Sequence, residues 1–218
     1  MGEIQLDSLT HQLLIHSVFF FYGDASSSAL SQEVAGDIAV HWNEPSARVY
    51  IKREWYEVKF QIEGIWVPDL EPETVWQNTD PARNFFRIES FSMSHISFVD
   101  GIGSNTGYFK LDNLINNSTT AAHEYGHTLG LDHPEILDIR GKGQPSIMYP
   151  RGTICDPEFQ YDKNALPLQP GGTLNPYTRK VLQSDIDLLR LDRLRFDRNN
   201  RAVLGGFTSL YHQKHDER

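Results

Sequence analysis

The sequence predicts a single α+β domain whose C-terminal part is rich in loops. Several short segments within the first 110 residues alternate apolar and polar side chains, which is typical of half-buried β-strands. One segment instead repeats its apolar residues at every fourth position, as an amphipathic helix does. A chain of 218 residues is long enough for one substantial core, so we expect one domain spanning residues 1–218.

The first predicted elements are a buried strand and an amphipathic helix. Residues 13–22 form a nearly continuous apolar run, which predicts a strand that is buried on both faces. A helix follows, because a serine cluster at residues 26–28 offers an N-cap and the Asn-Glu-Pro sequence at residues 43–45 ends it. The apolar stripe of this helix consists of Leu30, Val34, Ile38 and Trp42.

The remaining elements follow in order along the chain. Residues 49–51 and 56–62 alternate apolar and polar side chains, which predicts two half-buried strands. A proline-rich connection with a short helical turn near residues 73–77 leads to a further strand at residues 84–88. Near the C-terminus, Ser184 predicts the N-cap of a last helix, whereas His212 and His215 are expected to be disordered.

Residues 122–134 carry three histidines, a glutamate and a glycine at fixed offsets. On a helix of about 3.6 residues per turn, His123 and His127 lie one turn apart and project from the same face, so both can reach one ion. Glu124 lies about 100° further round the helix, where it is a poor third ligand but can reach a water molecule held by the metal. The candidate N-caps of this helix are Asn116, Asn117 and Ser118.

The third histidine can join the other two only if the helix stops. In a continuous helix, His133 would lie roughly 9 Å further along the axis than His127 and about 240° round, too far for Zn–N distances of about 2.1 Å. Gly130 is placed to end the helix, because glycine enters the left-handed region without a Cβ penalty. Pro134 lacks a backbone N–H and also discourages helix beyond His133.

The pattern favours a catalytic zinc ion. Structural zinc sites are usually closed by four protein ligands and rich in cysteine, whereas three histidines leave a position open for water. The alternative is a structural helix that happens to be rich in histidine. Five fixed positions arise by chance in only about one of ten thousand sequences of this length, so we expect a metal site.

The spacing His-Glu-x-x-His-x-x-Gly-x-x-His at residues 123–133 resembles that of the metzincin clan of zinc endopeptidases. The clan also carries a methionine-containing turn downstream of the third histidine, and the Ser-Ile-Met-Tyr-Pro sequence at residues 146–150 looks like this Met-turn. Met148, Tyr149 and Pro150 are similar to the matrixins, whereas Pro134 directly after the third histidine is similar to the serralysins. The resemblance therefore extends to the clan and assigns no family.

The clan resemblance implies a zincin-like metzincin fold. This fold has a twisted, mostly parallel sheet with an antiparallel edge strand, an active-site helix, and a smaller loop-rich lower lobe that ends in a C-terminal helix. We expect an upper lobe of about residues 1–130 and a lower lobe of about residues 131–218. Tyr149 and Pro150 are expected in the wall of the substrate pocket, because Pro150 stands where serralysins and astacins have a tyrosine that can approach the metal.

The resemblance also implies a mechanism. His123, His127 and His133 would bind one Zn²⁺, and zinc bound in this way activates a water molecule. Glu124 would act as the general base in the hydrolysis of a peptide bond. Met148 would pack under the histidines as an apolar floor without binding the ion.

A protein or peptide substrate is expected to bind in extended form along an edge strand just before the active-site helix. An edge strand offers unpaired N–H and C=O groups that such a peptide can bridge. We assign this role to part of residues 102–109. In the same region, Asp100 and Asn105 are candidate calcium ligands.

The composition excludes several other classes of protein. A formal net charge of -9 argues against a nucleic-acid binder, since phosphate contacts need a basic face. No segment reaches the roughly 18 apolar residues of a membrane span. The sequence shows no signal peptide, so the secretion or export that we expect would need a segment outside this sequence or another route. The single cysteine, Cys155, excludes an intrachain disulfide, and its alternative role is a thiolate that caps the zinc in a latent form.

Two other functions are compatible with the sequence. One is an effector or toxin protease that is delivered into another cell and has a narrow protein target. The other is a catalytically silent module that binds zinc for structure. Glu124 argues against the silent module, because a structural site has no use for an unliganded carboxylate beside an open position.

Overall fold

The computed structural model describes residues 1–116 and 118–216, and within them it is a mixed α/β fold with few helices. The elements follow one another as β1 (Gly2–Asp7), β2 (Gln12–Tyr22), α1 (Ser28–Asn43), β3 (Arg48–Ile51), β4 (Glu54–Trp66), α2 (Pro72–Trp76), β5 (Arg83–Glu89), β6 (Phe98–Val99), β7 (Thr106–Lys110), α3 (Thr120–Thr128), α4 (Gln183–Leu188) and β8 (Arg201–Leu204). In this part of the chain, no helix has the length and apolar character that crossing a membrane requires.

The strands form one curled sheet in the order β3-β4-β2-β5-β7-β6. Its central pairs are parallel, because β2 runs parallel to both β4 and β5, and β5 runs parallel to β7. β3 and β6 pair in the antiparallel direction at the two ends of this order. β1 lies antiparallel beside the first half of β2 and also pairs with β8. The mostly parallel sheet with an antiparallel edge strand is therefore confirmed.

The burial of β2 differs from the sequence prediction. Leu13, Ile15, Phe19 and Phe21 on one face are fully buried, whereas the residues that alternate with them, such as His16, are mostly only half-buried. The strand was predicted to be buried on both faces, and this prediction is wrong. The reason is that the main core, which includes apolar residues of α1 and α3, lies on one face of the strand.

Helix α1 begins and ends as its sequence predicts. The Ser27 side chain caps it by accepting a hydrogen bond of 3.2 Å from the Leu30 N–H. The helix ends at Asn43, next to the predicted Asn-Glu-Pro stop. The indole of Trp42 donates a hydrogen bond of 2.9 Å to the Ala122 carbonyl, and this contact joins α1 to α3.

The C-terminal third departs from the predicted lower lobe. α4 has only 6 residues, and its N-cap is Leu182 rather than Ser184. The Asp185 carboxylate accepts a hydrogen bond of 2.8 Å from the Leu182 N–H. After α4 the chain returns to the main sheet as β8, so within the described residues the lower lobe does not end in the predicted C-terminal helix. The chain returns to the sheet because β8 pairs with β1, so that residues near the two ends of the sequence form neighbouring strands.

Residues 205–216, here called the C-terminal segment, pack back onto the sheet edge. His212 Nε2 lies 2.9 Å from both carboxylate oxygens of Asp100, and the ring of His215 stacks on Tyr108 with centroids 4.0 Å apart. The expected disorder of both histidines is therefore wrong, since each has found a packed partner. Gly206 N–H donates a hydrogen bond of 2.7 Å to the Gly103 carbonyl, which fastens the segment to the loop between β6 and β7.

The start of α3 also differs from the prediction. Its N-cap is Thr119, whose side-chain hydroxyl donates to the Pro176 carbonyl at 2.7 Å rather than capping the helix. The Ser118 hydroxyl accepts a hydrogen bond of 3.2 Å from the N–H of Thr120, the first residue of the helix. Asn117, another of the predicted caps, lies outside the described residues. The polar residues 116–118 were correctly predicted to lie at the start of the helix, but the N-cap itself, Thr119, was not predicted.

Candidate metal centre

A tight turn after α3 brings the three histidines of the motif together. Gly130 has a φ of 104°, which an L side chain rarely adopts. Its N–H bonds to the His127 carbonyl at 3.1 Å, and the Leu131 N–H bonds to the Gly126 carbonyl at 3.0 Å. This pair of hydrogen bonds is a Schellman motif. The chain reverses there and carries His133 back towards the helix.

The ring nitrogens of the three histidines converge. His133 Nε2 lies 3.0 Å from His123 Nε2 and 3.1 Å from His127 Nε2. One nitrogen from each ring lies within 4.8 Å of the other two. Nitrogens bound at about 2.1 Å in a tetrahedral site are separated by about 3.4 Å. The three histidines therefore lie close enough to hold one metal ion.

Backbone carbonyls orient two of these rings. His123 Nδ1 lies 2.7 Å from the Ile147 carbonyl, and His127 Nδ1 lies 2.8 Å from the Leu131 carbonyl. A carbonyl only accepts, so His127 Nδ1 is the protonated nitrogen and His127 Nε2 presents a lone pair. At His123 the closer Ile147 carbonyl favours the same tautomer over the Arg179 Nη1 donor, which lies 3.1 Å from Nδ1. His133 Nε2 could donate a proton to one of these lone pairs but not to both. Converging lone pairs of this kind fit a bound cation, and such carbonyl contacts are typical around metal-binding histidines.

Burial keeps the three rings neutral. The pKa of His123 is held well below its ordinary value, first by burial and then by the charges of Arg179 and His127. Burial also lowers the pKa of His127 and of His133. Since only neutral imidazole binds a metal, the fold holds these ligands in their binding form at neutral pH.

Glu124 is buried beside the histidines. Its side chain lines the same cavity as His123 and His127. Burial raises the pKa of its carboxyl to about 8, and the opposing influences are the charge of Arg179 and a hydrogen bond from the Val99 N–H. A cation at the histidines would further favour the ionised carboxylate. The arrangement therefore supplies a proton acceptor at the edge of the metal site.

Arg179 is a buried cation that sequence reasoning missed. Its Nη1 donates to the Tyr149 carbonyl at 3.0 Å and lies 3.1 Å from His123 Nδ1, while Nη2 donates to the Thr119 hydroxyl at 2.8 Å. Burial lowers the pKa of Arg179 to about 10, and the charge of Glu124 opposes this shift. The guanidinium thus stays charged at neutral pH and ties the start of α3 to the segment around Met148.

Met148 is buried against α3. It is 1 % exposed, and a Cβ added at Gly126 would lie 2.3 Å from its Sδ. The preceding Ser146 donates its hydroxyl to the Asp185 carboxylate. This hydrogen bond links the turn that carries Met148 to α4. The same turn places the Ile147 carbonyl against His123 Nδ1.

We predict that Gly126→Ala destabilises the protein. The added methyl group overlaps Met148 Sδ, and overpacking of this kind costs typically about 1–3 kcal/mol. The measurement is the free energy of unfolding in urea. Gly36→Ala in α1 is the matched control, because nothing lies within 4 Å of its added Cβ, and a gain of about 0.4–1 kcal/mol is expected there. Equal effects in the two variants would contradict the packing described for Met148.

A cavity of about 290 Å³ opens beside the histidines. It is lined by Ile96, Ser97, Phe98, Val99, Gly101, Ile102, His123, Glu124, His127, Asp132 and His133. Tyr149 packs against the apolar cluster of Ile139, Cys155 and Leu174. The contribution of Tyr149 and Pro150 to a substrate pocket stays a prediction.

The edge strand beside the site is β6, not residues 102–109. β7 comprises most of that range and is paired on both sides, with β5 and with β6. The remaining residues form the loop between β6 and β7, whose Gly103 N–H donates to the His127 carbonyl at 2.7 Å. The assignment of the edge strand to residues 102–109 is therefore wrong. The two-residue β6 is too short for the alternation of its side chains to be recognised in the sequence.

The candidate calcium ligands Asp100 and Asn105 have protein partners, and calcium binding there stays a prediction. The Asp100 carboxylate accepts from the Thr106 hydroxyl at 2.5 Å and contacts His212. Asn105 Oδ1 accepts a hydrogen bond of 2.9 Å from the Thr208 N–H. Among the described residues, the histidine cluster is the one group of three or more metal-binding side chains of the His, Cys, Asp and Glu types. These contacts give Asp100 and Asn105 a structural role in holding the C-terminal segment.

Cys155 is a buried thiol outside the metal-binding group. Burial raises its pKa to about 11, with smaller contributions from the charges of Asp156 and Glu158. Because the pKa is higher in the folded state, the stabilisation from the neutral thiol is present at neutral pH. It is lost as the pH rises through about 11.

We predict that Cys155 reacts with a disulfide reagent at about pH 8 roughly 100-fold more slowly in the folded protein than in urea, because little thiolate is present. Zinc should leave the folded rate unchanged, since the thiol is not a ligand. Stopped-flow absorbance of the released thiol measures both rates. A rate that zinc slows several-fold would restore the capping role.

No protein-family model matches this chain, and a search of curated proteins found no match either. The chemistry of the site therefore follows from its own side chains. These are three converging imidazoles, a buried carboxylate beside them, and a cavity that reaches both.

Proposed function

We propose that this protein is a zinc-dependent endopeptidase of the metzincin type with a zincin-like fold. The observation that carries the proposal is the convergence of three Nε2 atoms next to the buried carboxylate of Glu124. A site built only for structure would need a fourth protein ligand, whereas this cluster consists of three histidines. The three histidines line the cavity, in which a water molecule and a substrate could reach an ion that they hold.

Zinc is the metal that fits this donor set best. Three neutral imidazoles suit Zn²⁺, and three histidines with one open position are a known arrangement for catalytic zinc. When bound, zinc supplies a Lewis acid that activates a water molecule and stabilises negative charge on the substrate carbonyl oxygen. The buried carbonyls of Ile147 and Leu131 keep His123 and His127 in the tautomer that such a site needs.

Glu124 transfers a proton from the attacking water to the leaving amine in the proposed reaction. It accepts a proton from water during attack on the peptide carbonyl and delivers it to the leaving amine. A raised pKa suits this double role, because the group must both gain and release a proton near neutral pH. The Val99 N–H and the charge of Arg179 oppose the burial that raises this pKa, and a cation bound by the histidines would further favour the ionised carboxylate.

The substrate is a protein or peptide that binds in extended form along β6. β6 lies at one end of the sheet order, and both of its residues line the cavity next to the histidines. A peptide added as a further strand would hydrogen bond to backbone groups of β6 and carry its scissile bond to the metal site. Secretion or export, and delivery into another cell as an effector, are compatible with such an enzyme.

The deciding experiment is digestion of a peptide library and an unfolded protein by the zinc-loaded protein, with cut sites read by mass spectrometry. The proposal expects cleavage that a chelator abolishes and that added zinc restores. If zinc binds at one equivalent but no substrate is cut, the alternative of a catalytically silent zinc module is the correct one.

A further inference from the structure

The outer edge of β3 has backbone groups that are free to bind another strand. β3 lies at one end of the strand order, and just before it the Ala47 carbonyl accepts a hydrogen bond of 2.8 Å from the Val58 N–H. In this antiparallel pair every second residue bonds across to β4, so Arg48 and Tyr50 direct their backbone N–H and C=O groups outwards. Within residues 1–116 and 118–216, the outward groups of Tyr50 have no hydrogen-bond partner.

The side chain of Gln183 shows how an added strand would bind to this edge. Its Oε1 accepts a hydrogen bond of 3.0 Å from the Arg48 N–H, and its Nε2 donates one of 3.0 Å to the Arg48 carbonyl. A residue of a neighbouring antiparallel strand exchanges the same two bonds with its partner. The Gln183 carboxamide therefore takes one position along the edge as a paired strand would, and Tyr50 offers the next position.

A groove of about 720 Å³ lies beside this edge and is lined by residues of β3, β4 and α4. Tyr50 and Trp55 lie opposite each other in the hairpin, with ring centroids 5.3 Å apart, and they are 50 % and 54 % exposed. Leu188 of α4 also lines the groove and is 62 % exposed. Tyrosine and tryptophan are enriched at protein interfaces, because their large rings bury much surface at a low cost in conformational entropy.

The charges beside this edge that lack a partner are positive. Both carboxylates of the groove are already engaged, because Asp187 accepts a hydrogen bond of 2.8 Å from Gln183 and Asp192 pairs with Arg190 at 3.6 Å. In the described part of the chain, the exposed cations of β3 and its turn that have no carboxylate within ion-pair distance are Arg48, Lys52 and Arg53. This local positive charge stands out in a chain whose formal net charge is -9.

We propose that the β3 edge binds an extended peptide segment that carries acidic side chains, as an added strand. The backbone of Tyr50 supplies the strand pairing, the exposed rings cover apolar side chains of the segment, and the cations attract its carboxylates. A second copy of this chain fits less well, because symmetric antiparallel pairing through Tyr50 would set Arg48 opposite the partner's Lys52, and like charges repel. The site is separate from the metal centre, since β3 and β6 lie at opposite ends of the strand order.

The first test compares two fluorescent peptides of about eight residues that alternate valine with glutamate or valine with lysine. In fluorescence polarisation at low salt, the glutamate peptide should bind at least about 10-fold more tightly than the lysine peptide, and salt of about 0.5 M should remove most of this preference. Arg48→Glu should lower the preference about 5-fold, because one attraction becomes a repulsion. Lys163→Glu is the matched control, since it makes the same change of charge at an exposed site outside the groove and should leave the preference nearly unchanged.

A second pair of variants tests the strand pairing itself. Tyr50→Pro removes the outward N–H but no hydrogen bond to β4, and proline is tolerated on an edge strand in this orientation. Tyr50→Val is its matched control, because both variants lose the ring and only proline loses the N–H. The glutamate peptide should bind the proline variant about 5-fold more weakly than the valine variant, the effect of about one lost hydrogen bond.

Amide hydrogen exchange of the unchanged protein gives a reading that does not depend on how the variants fold. The bound glutamate peptide should slow exchange of the Tyr50 N–H at least about 10-fold. Equal binding of the two peptides, or binding that leaves this exchange rate unchanged, would overturn the proposal and leave the cations as protection of the edge against pairing. A dimer in analytical ultracentrifugation that protects Tyr50, without binding of the glutamate peptide, would assign the edge to a second copy instead.

Discussion

Replacing Glu124 with glutamine is expected to lower peptide hydrolysis by about 10²- to 10⁴-fold while zinc stays bound. Glutamine keeps the size of the side chain but cannot accept the proton from water or return it to the leaving amine. The three histidines are unchanged, so the zinc content should remain near one equivalent. The measurement combines kcat/KM on a cleaved peptide with metal analysis of the same sample.

Glu33→Gln is the matched control for this experiment. Glu33 is exposed on α1, and its loss should change neither zinc content nor hydrolysis. Full activity of the Glu124→Gln variant would show that another group moves the proton. Loss of zinc from this variant would instead make Glu124 part of the metal-binding set.

Replacing His133 with alanine is expected to remove most of the stabilisation that zinc gives to the fold. At a zinc concentration about 100 times Kd, binding to the native state adds about 2.7 kcal/mol to the free energy of unfolding. For a chain of this size, about 2–4 °C per kcal/mol corresponds to a rise in melting temperature of about 5–11 °C. Removing a group that only hydrogen bonds to a metal ligand typically weakens metal binding by about 10- to 100-fold. Removing the ligand His133 itself should weaken zinc binding by more than this.

His133 is the suitable ligand for this test because it lies in an exposed part of the chain after α3, so the metal-free variant should fold. His11→Asn provides the control, since His11 is exposed and lies outside the histidine cluster. Thermal unfolding with and without zinc, at matched protein concentration, gives the shift for each variant. A His133→Ala protein with the full zinc-dependent shift would mean that the ion binds elsewhere.

Local sequence patterns predicted the elements that depend on neighbouring residues. The four-residue spacing from Leu30 to Trp42 predicted α1, and the alternation of apolar and polar residues predicted β3 and β4. The motif of residues 123–133 is local in the same sense, because a helical turn and one glycine decide where its rings point. β8 could not be predicted in this way, since its four residues form a strand only by pairing with β1 near the start of the chain.

The surroundings of the metal centre were harder to predict for the same reason. Arg179 lies 56 residues from His123 in the sequence, and it follows a turn with no periodic signal. The Ile147 carbonyl is a backbone group, which no residue type identifies. β6 and its cavity residues become recognisable only when the strands are placed side by side. Contacts between residues that are distant in the sequence could not be predicted from local patterns, whereas the spacing of the motif indicated its chemistry.

If the protein cleaves peptides as proposed, the two hydrogen bonds that hold Gly103 would limit which targets it can cut. The Gly103 N–H is bound to the end of α3, and the Gly103 carbonyl is bound to the C-terminal segment. The loop that carries Gly103 can therefore move away from the cavity beside the histidines only if these hydrogen bonds break. Under the proposed function, a compact folded target would then be cut slowly, since its chain must first open locally to bind in extended form along β6. Cutting would fall at frayed ends and loose surface loops, and its rate would follow how often the target opens.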